Sequence, residues 1–407
     1  MADLSSKAQT LQLKHLSDSD YPVWDSFVAS SPQGTIFNSS RWAAIIQEVF
    51  GVEHSIYAVL ERDEVAGGIS FFHKKKAGLK VVTRLPLTPY NGVLFQAPRG
   101  EKDQKVSTEH REIFDLILEK FEKEFHFVHF ALHPSVTDLR PFLWRGWYTL
   151  PQYTYVNSLT DLNQTWSLLS SSLRRKINRA EENQFKVFEK DDPTLLLRFQ
   201  EMSYAKARRE VVRPRPTSSS LVKDGRTRRE FGQRPRRGAR LKPVLSFDTF
   251  QRYCLAALGA NLLRIYSAAD SEGNIHAERA VVVHKDRAYD WIAGSNLQIE
   301  DESGPKSSDL DRRFRRILSN EPVGNSANGL VEGHANQLLV WEIFKRLSAE
   351  GVRTFDFLGA NTPSVVEFKR AFGGNLNCYF EVRWFSSWVV HTLNFLNQRW
   401  RDWRRSG

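Results

Sequence analysis

The chain is poor in sulfur, in acidic residues and in long apolar runs, and each shortage removes a class of protein. Its only two cysteines, Cys254 and Cys378, stand far apart in 407 residues and without ligand spacing. Neither a disulfide framework nor a zinc site is supported, no metal is expected, and a reducing compartment fits. The longest uncharged apolar stretch, Trp384 to Gln398, has 15 residues, several of them polar, short of the roughly 20 that a spanning helix needs. The opening MADLSSKAQTLQLKHL lacks the basic-then-apolar run of a signal peptide. The expectation is a cytoplasmic protein, with any membrane contact at the inner face. Asp and Glu number 47 against 58 Lys and Arg, a formal charge of +11, which favours a polyanionic partner such as nucleic acid, nucleotide phosphate or anionic membrane.

What is present reads as globular. Hydrophobic residues make up 41% and aromatics 12%, and the length suits two domains better than one core. Tyr21 to Ser30 and Ser40 to Phe50 read as helices, the second with Trp42, Ile45, Ile46, Val49 and Phe50 on one stripe. A strand pair follows, turning at Glu61 to Glu64, with Gly67 and Gly68 allowing a bulge or a close backbone approach. Irregular chain around Leu85 to Gln96 comes before another short strand, then a helix (Lys105 to Phe125), a strand (Phe127 to Leu132), a short helix (Leu139 to Arg145) and a strand, Tyr153 to Leu159, expected to close the first domain.

The second half repeats this outline. Ser170 to Asn183 is a helix with Leu173, Ile177 and Ala180 on its apolar face. Phe185 to Phe188 is a strand, and helices follow over Asp192 to Ala207 and Ser246 to Gly259. A three-strand meander covers Leu262 to Ala269, His276 to His284 and Arg287 to Gly294, and Ala335 to Glu350 is an apolar helix. No repeat of fixed period appears, so any duplication is structural. Two polar segments interrupt the outline: Arg208 to Lys242, with 13 Lys or Arg against three acids, and Gln298 to Gly333.

Thr354 to Gly374, TFDFLGANTPSVVEFKRAFGG, organises the rest. Phe355 and Phe357 alternate with Asp356 and Leu358 as in a strand, and Gly359 to Thr362 is a turn. Pro363 to Phe372 is a helix whose Ser364 and Glu367 have capping-box spacing, and Gly373 and Gly374 stop it. As a buried carboxylate Asp356 needs a partner whatever its role.

FDFLGAN and FKRAFGG, after the helix QLLVWEIFKRLSAEG, resemble the final section of the FemAB-like aminoacyltransferases and the related BioF2-like acetyltransferases. FNSSRWAAIIQEVFG, RRKINRAEENQFKV and AYDWIAGSN agree. The similarity covers about residues 20 to 385 apart from the two polar segments. It implies an α/β (α+β) fold with mixed sheets, built as two tandem GNAT-like domains over 1–160 and 161–383, the second carrying insertions at 208–242 and 298–333. A Trp/Arg-rich tail, 384–407, is left over. If helical, the tail gathers Phe385, Trp388, Val389, Leu393, Leu396, Trp400 and Trp403 largely on one side, with five arginines from Arg383 to Arg405, the composition of an interfacial helix and hence of a peripheral membrane contact.

The resemblance also implies transfer of an acyl group onto an amine, with no resident cofactor. In one branch the donor is aminoacyl-tRNA and the acceptor a cell-wall precursor, which can be lipid-linked. In the other the donor is acyl-CoA. A third reading is a nonenzymatic relative that binds polyanions or membranes. The family's Phe-Lys pair matches Phe368 and Lys369, the leading catalytic candidates with Asp356. Aminolysis needs positive charge where the oxyanion develops, and Lys369 is expected to supply it; Lys369→Ala is expected to abolish transfer at near-unchanged stability. Arg175, Lys176 and Arg179, with Tyr289 and Trp291 of AYDWIAGSN, are the candidate substrate-binding residues.

Overall fold

The computed structural model describes residues 11–98, 100, 102–198, 245–295, 334–387 and 389. Both polar insertions and nearly all of the tail lie outside these. The first half runs β1 (Gln12–His15), α1 (Tyr21–Ser30), α2 (Ser40–Phe50), β2 (Glu53–Glu61), β3 (Glu64–Lys76), β4 (Leu79–Val82), β5 (Leu94–Phe95), α3 (Asp103–Glu124), β6 (Phe127–Ala131), α4 (Arg140–Trp144) and β7 (Tyr148–Ser158). The second runs α5 (Leu162–Leu168), α6 (Ser171–Glu182), β8 (Lys186–Lys190), α7 (Phe247–Gly259), β9 (Leu263–Ala269), β10 (Ile275–His284), β11 (Arg287–Ser295), α8 (Ala335–Ala349), β12 (Thr354–Asp356), α9 (Pro363–Arg370) and β13 (Asn375–Phe385). No helix among the described residues is long and apolar enough to cross a membrane.

Twelve of the thirteen strands lie in the order β1-β2-β3-β4-β6-β13-β7-β12-β11-β10-β9-β8, with β5 beside β3. From either edge the pattern is the same. Four antiparallel strands come first, then one parallel step (β4 with β6, β11 with β12), then two antiparallel strands. The last two are exchanged between the halves. β13, from the far end of the chain, lies against β6, while β7 lies against β12. The duplication is therefore structural, and the strand expected to close the first domain sits at the middle of one continuous sheet.

Three strands escape the sequence reading: β1, β4 and β13. Trp384 and Phe385, read as the start of the tail, are the last residues of β13 and pair with Val128 and Phe127. β7 also begins five residues earlier than expected and carries Pro151. Proline is tolerated there because β12 pairs only with Val156 to Ser158, so Pro151 has a ladder partner on one side alone, Phe380. Gly67 and Gly68 do mark a close approach. A Cβ at Gly68 would lie 2.6 Å from the Tyr57 carbonyl oxygen and 2.7 Å from the Trp24 ring, and the ladder shifts register opposite, between Val59 and Leu60.

The two halves share a core on one face of the sheet. Trp42 of α2 lies 5.7 Å from Tyr253 of α7 and 5.8 Å from Trp291 of β11, ring to ring, and Tyr253 and Trp291 meet at 4.8 Å. On the opposite face, α6 and α8 cover β9 to β12 through Leu173, Ile177, Leu339, Ile343 and Phe344. This layering leaves the parallel step between β11 and β12 bounded by aromatic packing on one side and by α8 and α9 on the other.

Candidate functional site

β11 and β12 pair over three positions only, Arg287 with Thr354, Ala288 with Phe355 and Tyr289 with Asp356. Beyond Tyr289, β11 continues to Ser295 beside β10 while β12 ends, so the sheet opens at Asp356. Every group that follows is placed by this split.

Asp356 is buried at its root. Tyr90 Oη donates to its Oδ2 at 2.8 Å, and Thr154 Oγ1 and the Leu358 amide donate to its Oδ1 at 2.5 and 2.8 Å. Burial raises its pKa above the ordinary carboxylate value, opposed by these donors and by the charge of Lys369. Tyr90 comes from the irregular Leu85 to Gln96 segment of the first half, so the two halves meet at this carboxylate.

The turn after β12 is bent by consecutive left-handed residues, Leu358 (φ 49°) and Gly359 (φ 69°). For a leucine this conformation costs roughly 1–2 kcal/mol. Lys369 offsets the strain. Its Nζ donates to the carbonyls of Phe357, Leu358 and Gly359 at 2.6, 2.6 and 2.7 Å. An ammonium has three donors, and all three are used. Burial lowers the Lys369 pKa; Arg279 adds to that, while Asp290 and Asp356 counter it.

This differs from the sequence expectation. Lys369 stands at the split, yet it clasps backbone and has no hydrogen left for an oxyanion, and its removal would orphan three carbonyls, so stability cannot stay near wild type. The helix that delivers it also differs. Thr362 is the N-cap, without a side-chain bond, and Glu367 pairs with Arg370 at 2.6 Å. The helix begins at Pro363, one residue before Ser364.

On the α8 and α9 side, Arg279 of β10 donates through Nη1 to Asp290 Oδ2 at 2.5 Å and through Nε to Asn336 Oδ1 at 3.0 Å. Its guanidinium lies 5.0 Å from the centre of the Phe368 ring, so Phe368 serves as the platform for this cation. Asp290 Oδ1 is buried and, among the described residues, has no hydrogen-bond partner.

Tyr289 and Trp291, expected to meet substrate, are instead spent on packing. They are 3% and 5% exposed; Tyr289 packs on Phe37 at 5.1 Å, and Trp291 donates from Nε1 to the Leu87 carbonyl at 2.7 Å. Arg175, Lys176 and Arg179 lie exposed on α6. Arg175 lines a cavity of ≈ 440 Å³ with Trp166, Ser171, Arg174 and Asn178. Lys176 and Arg179 come close enough to His334, at the start of α8, for their charges to depress its pKa below the ordinary value, behind burial as the main cause.

Sequence reasoning missed Tyr90, Thr154, Arg279 and Asp290. Arg279 and Asp290 left a readable trace as charges inside the apolar strands IHAERAVVVH and RAYDWIAGS, where a charge needs a partner. Tyr90 and Thr154 left none, because their partner lies more than 200 residues away.

No protein-family description and no curated protein sequence matches the chain. Solved structures do. The crystal structure of FemX aligns over 94% of this chain and 99% of its own, with TM-score 0.56 and 14% identity. A conserved protein of unknown function from Bacteroides thetaiotaomicron gives 0.48 at 9% identity, over 92% and 99%. A tandem GNAT protein from the clavulanic acid biosynthesis pathway gives 0.44 at 10%, over 92% and 98%. The chain has the fold of FemX, a mixed α/β architecture whose two halves repeat the same order of strand steps.

Proposed function

We propose that the chain is an N-acyltransferase working at the β11/β12 split, and that it moves an aminoacyl group from aminoacyl-tRNA to an amino group of a cell-envelope precursor. The observation that carries the reading is the split itself. A fixed, strained turn, a buried carboxylate and a buried Arg279–Asp290 pair converge where the sheet opens, and the loop ends of parallel strands are where a sheet can offer unpaired backbone to a ligand.

The reaction needs little from the protein beyond placement and charge. The amine lone pair attacks the ester carbonyl carbon, and the π electrons move to oxygen. The tetrahedral oxyanion then collapses, the C–O bond breaks, and the ribose oxygen leaves with the proton that nitrogen gives up. The charge on oxygen is the species to stabilise. The exposed Arg175, Lys176 and Arg179 support a polyanionic donor, because such a face binds phosphate by releasing counterions. Acyl-CoA is the second donor, and the same basic face suits its phosphates.

The test offers labelled amino acid on charged tRNA, and separately labelled acetyl-CoA, with precursor peptides as acceptors. Transfer of the amino acid supports the reading, and transfer of acetyl alone moves the donor to CoA. A folded protein that transfers neither contradicts it. Replacing Arg175, Lys176 and Arg179 together by Gln should weaken donor binding and cut the salt slope of binding by about 2–3.

A further inference from the structure

The clasp made by Lys369 has a second side. A trans peptide is planar, with its C=O and N–H pointing in opposite directions. Three successive carbonyls converge on Lys369 Nζ, so the three amides in the same peptide planes, those of Leu358, Gly359 and Ala360, radiate away from it. The outer two are satisfied. Leu358 N–H donates to Asp356 Oδ1 at 2.8 Å, and Ala360 N–H donates to the Tyr153 carbonyl at 2.6 Å. Among the described residues the middle one, Gly359 N–H, has no acceptor. Gly359 is half-buried, and a Cβ placed there would meet no atom within 4 Å. Its glycine identity is thus required by φ, not by lack of room, and a ligand can come close.

We infer that the Gly359 amide is the donor that holds the oxyanion of the tetrahedral intermediate, and that Lys369 is a positioning residue acting through the Leu358–Gly359 peptide. This rests on the acyl-transfer reading above. Two effects make the amide suitable. The ammonium draws charge from the Leu358 carbonyl, and hydrogen bonds along one peptide strengthen each other. The amide is also immobile, since both neighbouring peptides are pinned at each end, so it needs no reorganisation as charge develops. The electrons that move onto the substrate oxygen meet this N–H, and they return to re-form C=O when the C–O bond breaks. Lys369 neither gains nor loses a proton.

The first experiment needs no substrate. Residue-resolved hydrogen exchange should find the Gly359 amide fast while those of Leu358 and Ala360 are protected, and Lys369→Met should deprotect the outer two. A Gly359 amide protected as well as its neighbours overturns the inference and leaves the acyl-transfer reading standing. The second incorporates glycolic acid at position 359, which changes that one peptide to an ester, with oxygen in place of N–H. Melting temperature should stay close to wild type, KM should change less than about threefold and kcat should fall about 100-fold or more. The same change at Ala360, with lactic acid, should lower the melting temperature instead. An unchanged kcat for the ester at 359 overturns the inference. A wild-type protein that transfers nothing removes the reading on which it rests, whatever the exchange result.

Discussion

Each half of the molecule contains one parallel step, and the two steps have been put to opposite uses. In the first, β4 and β6 pair at Val81 with Phe127 and Val82 with Val128, then part. The chain immediately fills the gap. Asn91 N–H donates to the Ala131 carbonyl at 3.1 Å, and its Oδ1 accepts from the Ala131 amide at 3.0 Å. Asn91 thus stands in for the missing strand, and Tyr90 beside it reaches across to Asp356. Among the described residues no backbone hydrogen bond bridges the corresponding gap in the second half. A lysine gathers the turn's carbonyls and turns its amides outward. The first step is closed by a backbone pairing, and the second is the one at which we propose the chemistry.

Variants at the two steps should therefore separate. Arg279→Met in the second half has the largest expected effect on stability, about 3–5 kcal/mol, because it leaves Asp290 buried without its cation. Urea denaturation reads it, and Arg279→Met with Asp290→Leu should recover part of the loss. Lys369→Met orphans three carbonyls, each costing about 1–3 kcal/mol before relaxation, so a net loss of about 3 kcal/mol is expected with the loss of kcat. Asn91→Ala in the first half removes one acceptor from the Ala131 amide and leaves a void where the side chain was fully buried, for about 1–3 kcal/mol. Its activity per folded molecule should stay within about threefold of wild type.

A separate effect is with acid. His54 in the first half and His284 in the second are held down to about 4, mainly by burial. Their unfolded forms take up protons near pH 6.5 that the folded forms refuse, so the unfolded state binds more protons and stability rises with pH. Stability should be flat above about pH 7 and fall from pH 6.5 toward 4. His54→Gln should flatten the melting curve against pH in proportion. A melting temperature that does not change between pH 7 and 4.5 would contradict this.

Much of the fold could be read from local pattern, and the reason is visible in particular elements. α2 begins at Ser40 after a Ser39 cap whose side chain accepts from the Trp42 amide at 3.2 Å, and α6 begins after Ser170 in the same manner. The meander β9 to β11 shows as three apolar runs separated by short turns. β13 was passed over although Leu376, Phe380 and Val382 alternate in it, because its end was read with the Trp- and Arg-rich residues that follow. The strand exchange could not be read at all, since nothing local pairs Glu381 with Ala131. At the proposed site the contacts each residue makes were not legible. Phe368, Lys369 and Asp356 all stand at the split, but whether a lysine faces substrate or its own backbone depends on two φ angles in a turn. Gly359 records one of those angles in the sequence, and Leu358 gives no sign of the other.

The most direct test sets the two steps side by side. Single-turnover acyl transfer would be measured for wild type, Lys369→Met and Asn91→Ala under conditions where all three are fully folded by circular dichroism. Lys369→Met should lose about 100-fold or more in rate while Asn91→Ala keeps nearly all of it. Equal losses in the two variants, or a larger loss for Asn91→Ala, would place the chemistry elsewhere than at the β11/β12 split.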